Sequence, residues 1–136
     1  MAALSITAAS VARVTGTPVA GVAGETITQG MAVYQAANGK WYKAQADGSL
    51  IESGFGTNVG VSLNSVAVGQ PIDVLTDGTY TVGATLTAGV IYAIGTGAGG
   101  IVPATDIVST NYMTVLGVPI STTVLRLRPV AGGLQV

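Results

Sequence analysis

The chain contains neither cysteine nor histidine. Without cysteine there is no disulfide framework, no thiolate zinc site and no thiol nucleophile. Without histidine the commonest metal ligand and the usual general base are missing, so a Ser-His-Asp constellation cannot be assembled from it. Charge is scarce as well: five basic and six acidic residues make up 8% of 136, against about 25% in an ordinary soluble domain. A domain of this size usually stays in solution behind a mixed, charged surface. This one must rely on Thr, Ser, Asn, Gln and Gly, or have its surface covered by partners. The net charge of −1 and the absence of a basic run offer nothing to a phosphate backbone, so no nucleic-acid partner is expected. The opening "MAALSITAASVARVTG" has no basic segment ahead of an apolar core, which argues against a secretory signal. The uncharged stretch from Gly78 to Thr105 is long enough to span a bilayer. It is broken by Gly and Thr, contains Pro103 and alternates in the strand manner, so no membrane partner is expected.

What is present is the composition of short strands joined by tight turns: Val, Thr, Ile, Tyr and Gly, with almost no helical periodicity. The length fits one domain that buries roughly 65 to 70% of its unfolded surface. The pattern predicts an all-β fold of about eight to ten strands, a compact antiparallel β-barrel or β-sandwich. Asn38-Gly39 sits between "MAVYQA" and "KWYKAQ" and predicts a two-residue type I′ hairpin turn. Asp77-Gly78 and Asp47-Gly48 are read as further turns of this kind. Residues 1–20 lack turn signals and form either an N-terminal arm or a first edge strand, with 21–136 as a single β domain. The two stretches "GMAVYQAANGKWYKA" from Gly30 and "GVIYAIGTGAGGIVPA" from Gly89 resemble each other. Each is followed by a similar strand, "VGVSL" or "LGVPI", and then by "PIDVL" or "VLRLRPV". These similarities suggest duplicated β units, although coincidence of β patterning would look the same.

Candidate chemistry is sparse. Gly95, Gly97 and Gly100 fit a G-x-G-x-x-G pattern, but "IVPATDIV" follows where a dinucleotide site needs a helix, so a glycine-rich hairpin loop is the reading. Of the six carboxylates, Asp47 and Asp77 have a local role in Asp-Gly turns. Glu25 precedes a strand, and Asp73, between Ile72 and Val74, falls on the opposite, solvated face. No calcium loop, catalytic residue, cofactor site or metal site is assigned. A two-residue turn at Asn38-Gly39 would oppose Ala36 to Trp41 and Tyr34 to Lys43. Trp41, Tyr34 and Lys43 would then share one face, the make-up of an interface hot spot, unless Trp41 caps the core. In "TTVLRLRPV" the period of two puts Leu125 and Leu127 on one face and Arg126 and Arg128 on the other. Those arginines either stand in solvent or are aimed at carboxylates of another subunit.

The stretches "AGVAGETITQGMAVYQAANGKWYKA", "VGVSLNSVAVGQPIDVL", "GATLTAGVIYAIGTGAGGI" and "VLGVPISTTVLRL" resemble small virion proteins of tailed bacteriophages, of the capsid decoration or cement type. The similarity covers most of the chain from Gly21 onward and lies in the order of Gly-Tyr strand pairs and "VG" strands. The resemblance implies a compact β domain, commonly a homotrimer, made in the host cytoplasm and seated on the outer capsid surface of the virion. There it would clamp neighbouring subunits of the major capsid protein, with no catalytic residues and no cofactor. Trp41, Lys43, Arg126 and Arg128 are the candidates for the partner interface. Two other classes fit the composition. One is a carbohydrate- or receptor-binding β module using Trp41, Tyr42 and Tyr34 as a platform. The other is a hydrolase built on two of the carboxylates.

Overall fold

The computed structural model describes residues 4–47, 52–54, 57–107 and 111–135. Eleven strands are described: β1 (Ala12–Thr15), β2 (Val19–Val22), β3 (Ala32–Gln35), β4 (Trp41–Lys43), β5 (Val59–Ser62), β6 (Pro71–Leu75), β7 (Gly78–Thr81), β8 (Tyr92–Ile94), β9 (Ile101–Pro103), β10 (Tyr112–Pro119) and β11 (Val124–Gln135). The helical content among these residues is two single 3₁₀ turns, Ala8–Ser10 and Ala104–Asp106. The strands form two antiparallel sheets, ordered β1-β7-β11-β10-β8-β9 and β2-β6-β5-β3-β4. No strand is shared, so the fold is a sandwich and not a closed barrel. The strand count exceeds the eight to ten expected because several strands are only three or four residues long.

Three clusters of apolar side chains hold the sheets. The main core takes Tyr80, Tyr92, Leu116, Leu125 and Leu127 from the six-stranded sheet and Ala32, Val59, Val61 and Leu75 from the five-stranded one. These are the two facing layers of a sandwich. A second cluster lies on the far side of the five-stranded sheet, where Ile27 and Val66 fold over Val33, Trp41, Ile72 and Val74. Ile27 and Val66 exchange backbone hydrogen bonds of 2.9 Å and so hold that cover closed. A third cluster, Ala46, Ala93, Val102 and Ile107, covers the β8–β9 end of the six-stranded sheet.

The weak internal similarity of the sequence corresponds to a repeated topology. Strands β2 to β6 and β7 to β11 are connected identically: β2-β6-β5-β3-β4 becomes β7-β11-β10-β8-β9 when each strand number is advanced by five, with β1 added at one edge. The register repeats too. Gly21 pairs with Ile72 and Ala20 with Asp73; at the same strand positions Tyr80 pairs with Leu125 and Thr79 with Arg126. The turns entering β3 and β8 also match. Met31 N–H donates to Thr28 C=O and Val90 N–H to Thr87 C=O, with Gly30 and Gly89 at φ 93° and 80° in the position a type II turn reserves for glycine.

Two turn expectations need correction. The Asn38-Gly39 hairpin has three loop residues. Ala36 N–H donates to Lys40 C=O, Gly39 N–H donates to Ala36 C=O, and Gly39 has φ 83°, a type I turn closed by a left-handed glycine. The register moves by one: Trp41 opposes Gln35, Tyr42 opposes Tyr34 and Lys43 opposes Val33. A slip of one residue reverses every face assignment. Asp77-Gly78 does not close a hairpin either, because β6 and β7 lie in different sheets. The pair forms a corner at which the chain passes between layers, beside the β1–β2 crossing at Gly16. Gly16 and Gly78 have φ 96° and 139°, and a Cβ on either would meet the backbone of the opposite crossing, at the carbonyl oxygen of Asp77 or of Thr15. The Asp47-Gly48 turn lies partly outside the described residues. Edge strands β1 and β2 account for residues 12–15 and 19–22, and Leu4 and Ile6 pack against the main core.

Two stability predictions come from these contacts. Gly16→Ala and Gly78→Ala are each expected to cost more than about 2 kcal/mol in urea unfolding. Gly39→Ala, where an added Cβ meets nothing within 4 Å, should cost only the left-handed backbone penalty of about 1 kcal/mol. The hydroxyl of Tyr80 is buried without a hydrogen-bond partner, and burial raises its pKa far above the ordinary 10.0. The folded state therefore holds the proton more tightly than the unfolded chain. Its contribution is complete below pH 10 and is lost as pH rises beyond it. Tyr80→Phe is expected to be neutral or stabilising at pH 7, with a smaller loss of stability between pH 9 and about 11 than wild type when melts are followed by circular dichroism.

Candidate functional site

Strand β11 runs between β7 and β10 inside the six-stranded sheet, so both its edges are paired and its two faces are fixed. Leu125 and Leu127 are 0% exposed in the main core, and Arg126 and Arg128 are exposed on the opposite face. The alternation read from "VLRLRPV" is thus present in the fold. Pro129 follows where the β10–β11 register shifts between Val115 and Gly117, and a bulge is a place in a sheet interior that tolerates a residue without an N–H.

The surroundings of the two guanidiniums are uncharged and mix threonine with aliphatic side chains. Across one row of the sheet, Thr15 opposes Thr79, Thr79 opposes Arg126, and Arg126 opposes Val118. Val118 is 44% exposed, Ile120 61% and Val130 62%. No Asp or Glu occurs in any of the six strands. Among the described residues the side chain of neither Arg126 nor Arg128 makes a hydrogen bond or an ion pair. At the β8–β9 end of this face, the segment around Ala104 and Ile107 covers the sheet. Among the described residues the uncovered part is the β10–β11–β7–β1 portion, an uncharged surface of aliphatic and threonine side chains around two forked cations.

Trp41 and Lys43 are elsewhere. Both are on β4, the edge of the other sheet, so the four residues expected at one interface do not form one face. Trp41 is 1% exposed. Its indole lies over Gly21, where an added Cβ would be 2.5 Å from Nε1. At the position matching Gly21 the other half of the chain has Tyr80, so the tryptophan fills from β4 the space that a side chain on β2 leaves open. Trp41 therefore caps a core and presents no surface to a partner. Lys43 is half-buried, and its backbone N–H donates to the Glu25 carboxylate at 2.8 Å. With Gly24 N–H donating to Trp41 C=O, the segment at residues 23–25 closes the free edge of β4.

The aromatic platform loses its largest member by this burial and keeps only Tyr34 and Tyr42. Their rings are 6.0 Å apart and tilted by 32°, and Asn38 Nδ2 donates to the Tyr42 hydroxyl at 3.0 Å. The Tyr34 hydroxyl is held above its ordinary pKa, first by burial and then by the nearby carboxylates of Glu52 and Glu25 and by Tyr42. A cleft of about 230 Å³ lies between Gly54, Asn58, Thr76 and Pro129, and two of about 290 Å³ lie beside Ile91 and beside Thr123. None of the described residues lining them is an acid or a base. Asp73 is exposed on β6 between buried Ile72 and Val74, as its alternation predicts. The described residues contain no group of three Asp or Glu placed to hold a metal ion, and none of their helices is long and apolar enough to cross a membrane. Gly95, Gly97 and Gly100 form the β8–β9 loop, closed by Gly95 N–H to Gly100 C=O and Gly100 N–H to Gly97 C=O, and a strand follows.

The two faces of β11 differ in what they contribute, and paired truncations separate them. Leu125→Ala is expected to cost about 3 kcal/mol of stability. Arg126→Ala should stay within about 0.5 kcal/mol of wild type in the same denaturant titration. The sequence matches no protein-family model and no curated protein.

Proposed function

We propose that this chain is a structural virion protein that decorates the outer surface of a tailed-phage head and stabilises it by bridging neighbouring major capsid protein subunits. The observation that carries the reading is the uncovered face of the six-stranded sheet, where Arg126 and Arg128 stand unpaired among exposed Val118, Ile120 and Val130. A surface that combines exposed aliphatic side chains with unpaired guanidiniums is suited to protein contact. The scarcity of charge over the whole chain suits a subunit that buries much of its exterior in an assembly. The resemblance of its strand pairs to phage decoration proteins supplies the lattice. A clamp of this kind stabilises the shell by mass action, because it binds assembled subunits and not free ones. Homotrimeric association is part of the same proposal.

A second reading, a carbohydrate-binding module, rests on the Tyr34–Tyr42 pair and is weakened by the burial of Trp41. The two separate in one experiment. The purified protein is weighed in solution and then sedimented with empty heads that lack it. The expected result is a trimer that pellets with heads and raises their melting temperature. A monomer that stays in the supernatant, with binding on a glycan array, would replace the first reading by the second.

A further inference from the structure

The geometry points to a definite chemistry for the surface that docks on β10–β11: an apolar protein surface, belonging to a different protein, that presents two carboxylates roughly 7 Å apart, the spacing of residues i and i+2 on a strand. This inference rests on the decoration reading and names the partner's side of that contact.

Three observations carry it. The first is the repeat. In register, Ile72 and Val74 of the first half match Leu125 and Leu127 of the second, and Asp73 matches Arg126. The two sheets therefore stack with like faces in the same direction. The Leu125–Leu127 face of the second sheet is covered by the opposite face of the first, through Ala32, Val61 and Leu75. The first sheet's own outward face is closed by the Ile27–Val66 cover. The Arg126–Arg128 face holds the place in this stack where a further layer would lie, and none of the described residues covers its β10–β11 part.

The second observation is charge. The six strands contain Arg13, Arg126 and Arg128 and no acid. The nearest carboxylates in sequence are Asp77, at the corner before β7, and Asp106, past β9 at the far edge. Planar guanidiniums two residues apart on one strand match a pair of carboxylates better than any other protein group. The third bears on self-contact about a two-fold axis through β11. A second copy placed face to face would bring Arg126 and Arg128 against their own counterparts, and like charges meeting in a desolvated contact disfavour it.

Empty heads assembled from the major capsid protein are the probe. Occupancy is titrated with wild type, Arg126→Glu/Arg128→Glu, Arg126→Lys/Arg128→Lys and Val118→Asp, after circular dichroism confirms that each variant folds. The double Glu variant and Val118→Asp are expected to lose at least about tenfold in affinity, and wild-type affinity should fall as salt rises. The double Lys variant keeps the charge but not the fork and should lie between them and wild type. Heads that bind wild type and bind the double Glu and Val118→Asp variants equally well would overturn this inference and leave the decoration role in place. Heads that bind none of the four would overturn that role. Wild type that self-associates without heads, and becomes monomeric with the double Glu variant, would overturn the inference in favour of a second copy.

Discussion

The period of two along β11 is the constraint on which both the core and the proposed interface depend. A strand inside a sheet has no freedom to turn one side chain without turning the next, so placing Leu125 and Leu127 against Val61 and Leu75 forces Arg126 and Arg128 to the outside. The burial of the leucines supplies the free energy that holds the arginines in position, and neither arginine has to contribute to stability. This is why a pair of cations can be kept without local counter-charges: the cost of their exposure is small in water, and the apolar contacts on the far face fix their geometry.

The same sandwich shows how one β unit serves in two environments. In the first half the sheet face with Ile72 and Val74 is sealed by the chain's own Ile27–Val66 segment and by Trp41 over Gly21. In the second half the matching face, with Tyr80 in place of Gly21, is sealed by the other sheet. Close approach of backbones recurs in both. Gly60 and Gly117 each stand where a Cβ would meet a neighbouring strand's carbonyl oxygen, Leu75 or Arg126. These are the glycines of "VGVSL" and "LGVPI", whose likeness in sequence has that steric reason.

Much of the fold was legible locally. The all-β composition, the glycine-rich loop at 95–100, the solvated Asp73 between two buried residues and the two faces of β11 all follow from side-chain type and a period of two, which neighbouring residues specify by themselves. The candidate site was half legible. Arg126 and Arg128 were found because their scarcity made them conspicuous, whereas Val118, Ile120 and Val130 carried no signal, since exposed valines look like core valines until the sheet order is known. The choice between a surface and a core place for Trp41 was not legible, because it depends on Gly21 of a distant strand, and Asp77-Gly78 turns a corner where a hairpin is expected.

Sequence alone thus determined the secondary-structure class, the turn-forming glycines and the opposition of leucine and arginine on one strand, because each is settled by interactions within a few residues. Tertiary structure decided which strands pair, where a strand pair becomes a corner between layers, that Trp41 is sealed over Gly21, and which sheet face the described residues leave uncovered. Those outcomes depend on contacts between residues far apart in the chain. A turn dipeptide such as Asp-Gly is equally at ease in a hairpin or at a corner, and only the pairing of β6 with β2 and of β7 with β11 and β1 selects between them.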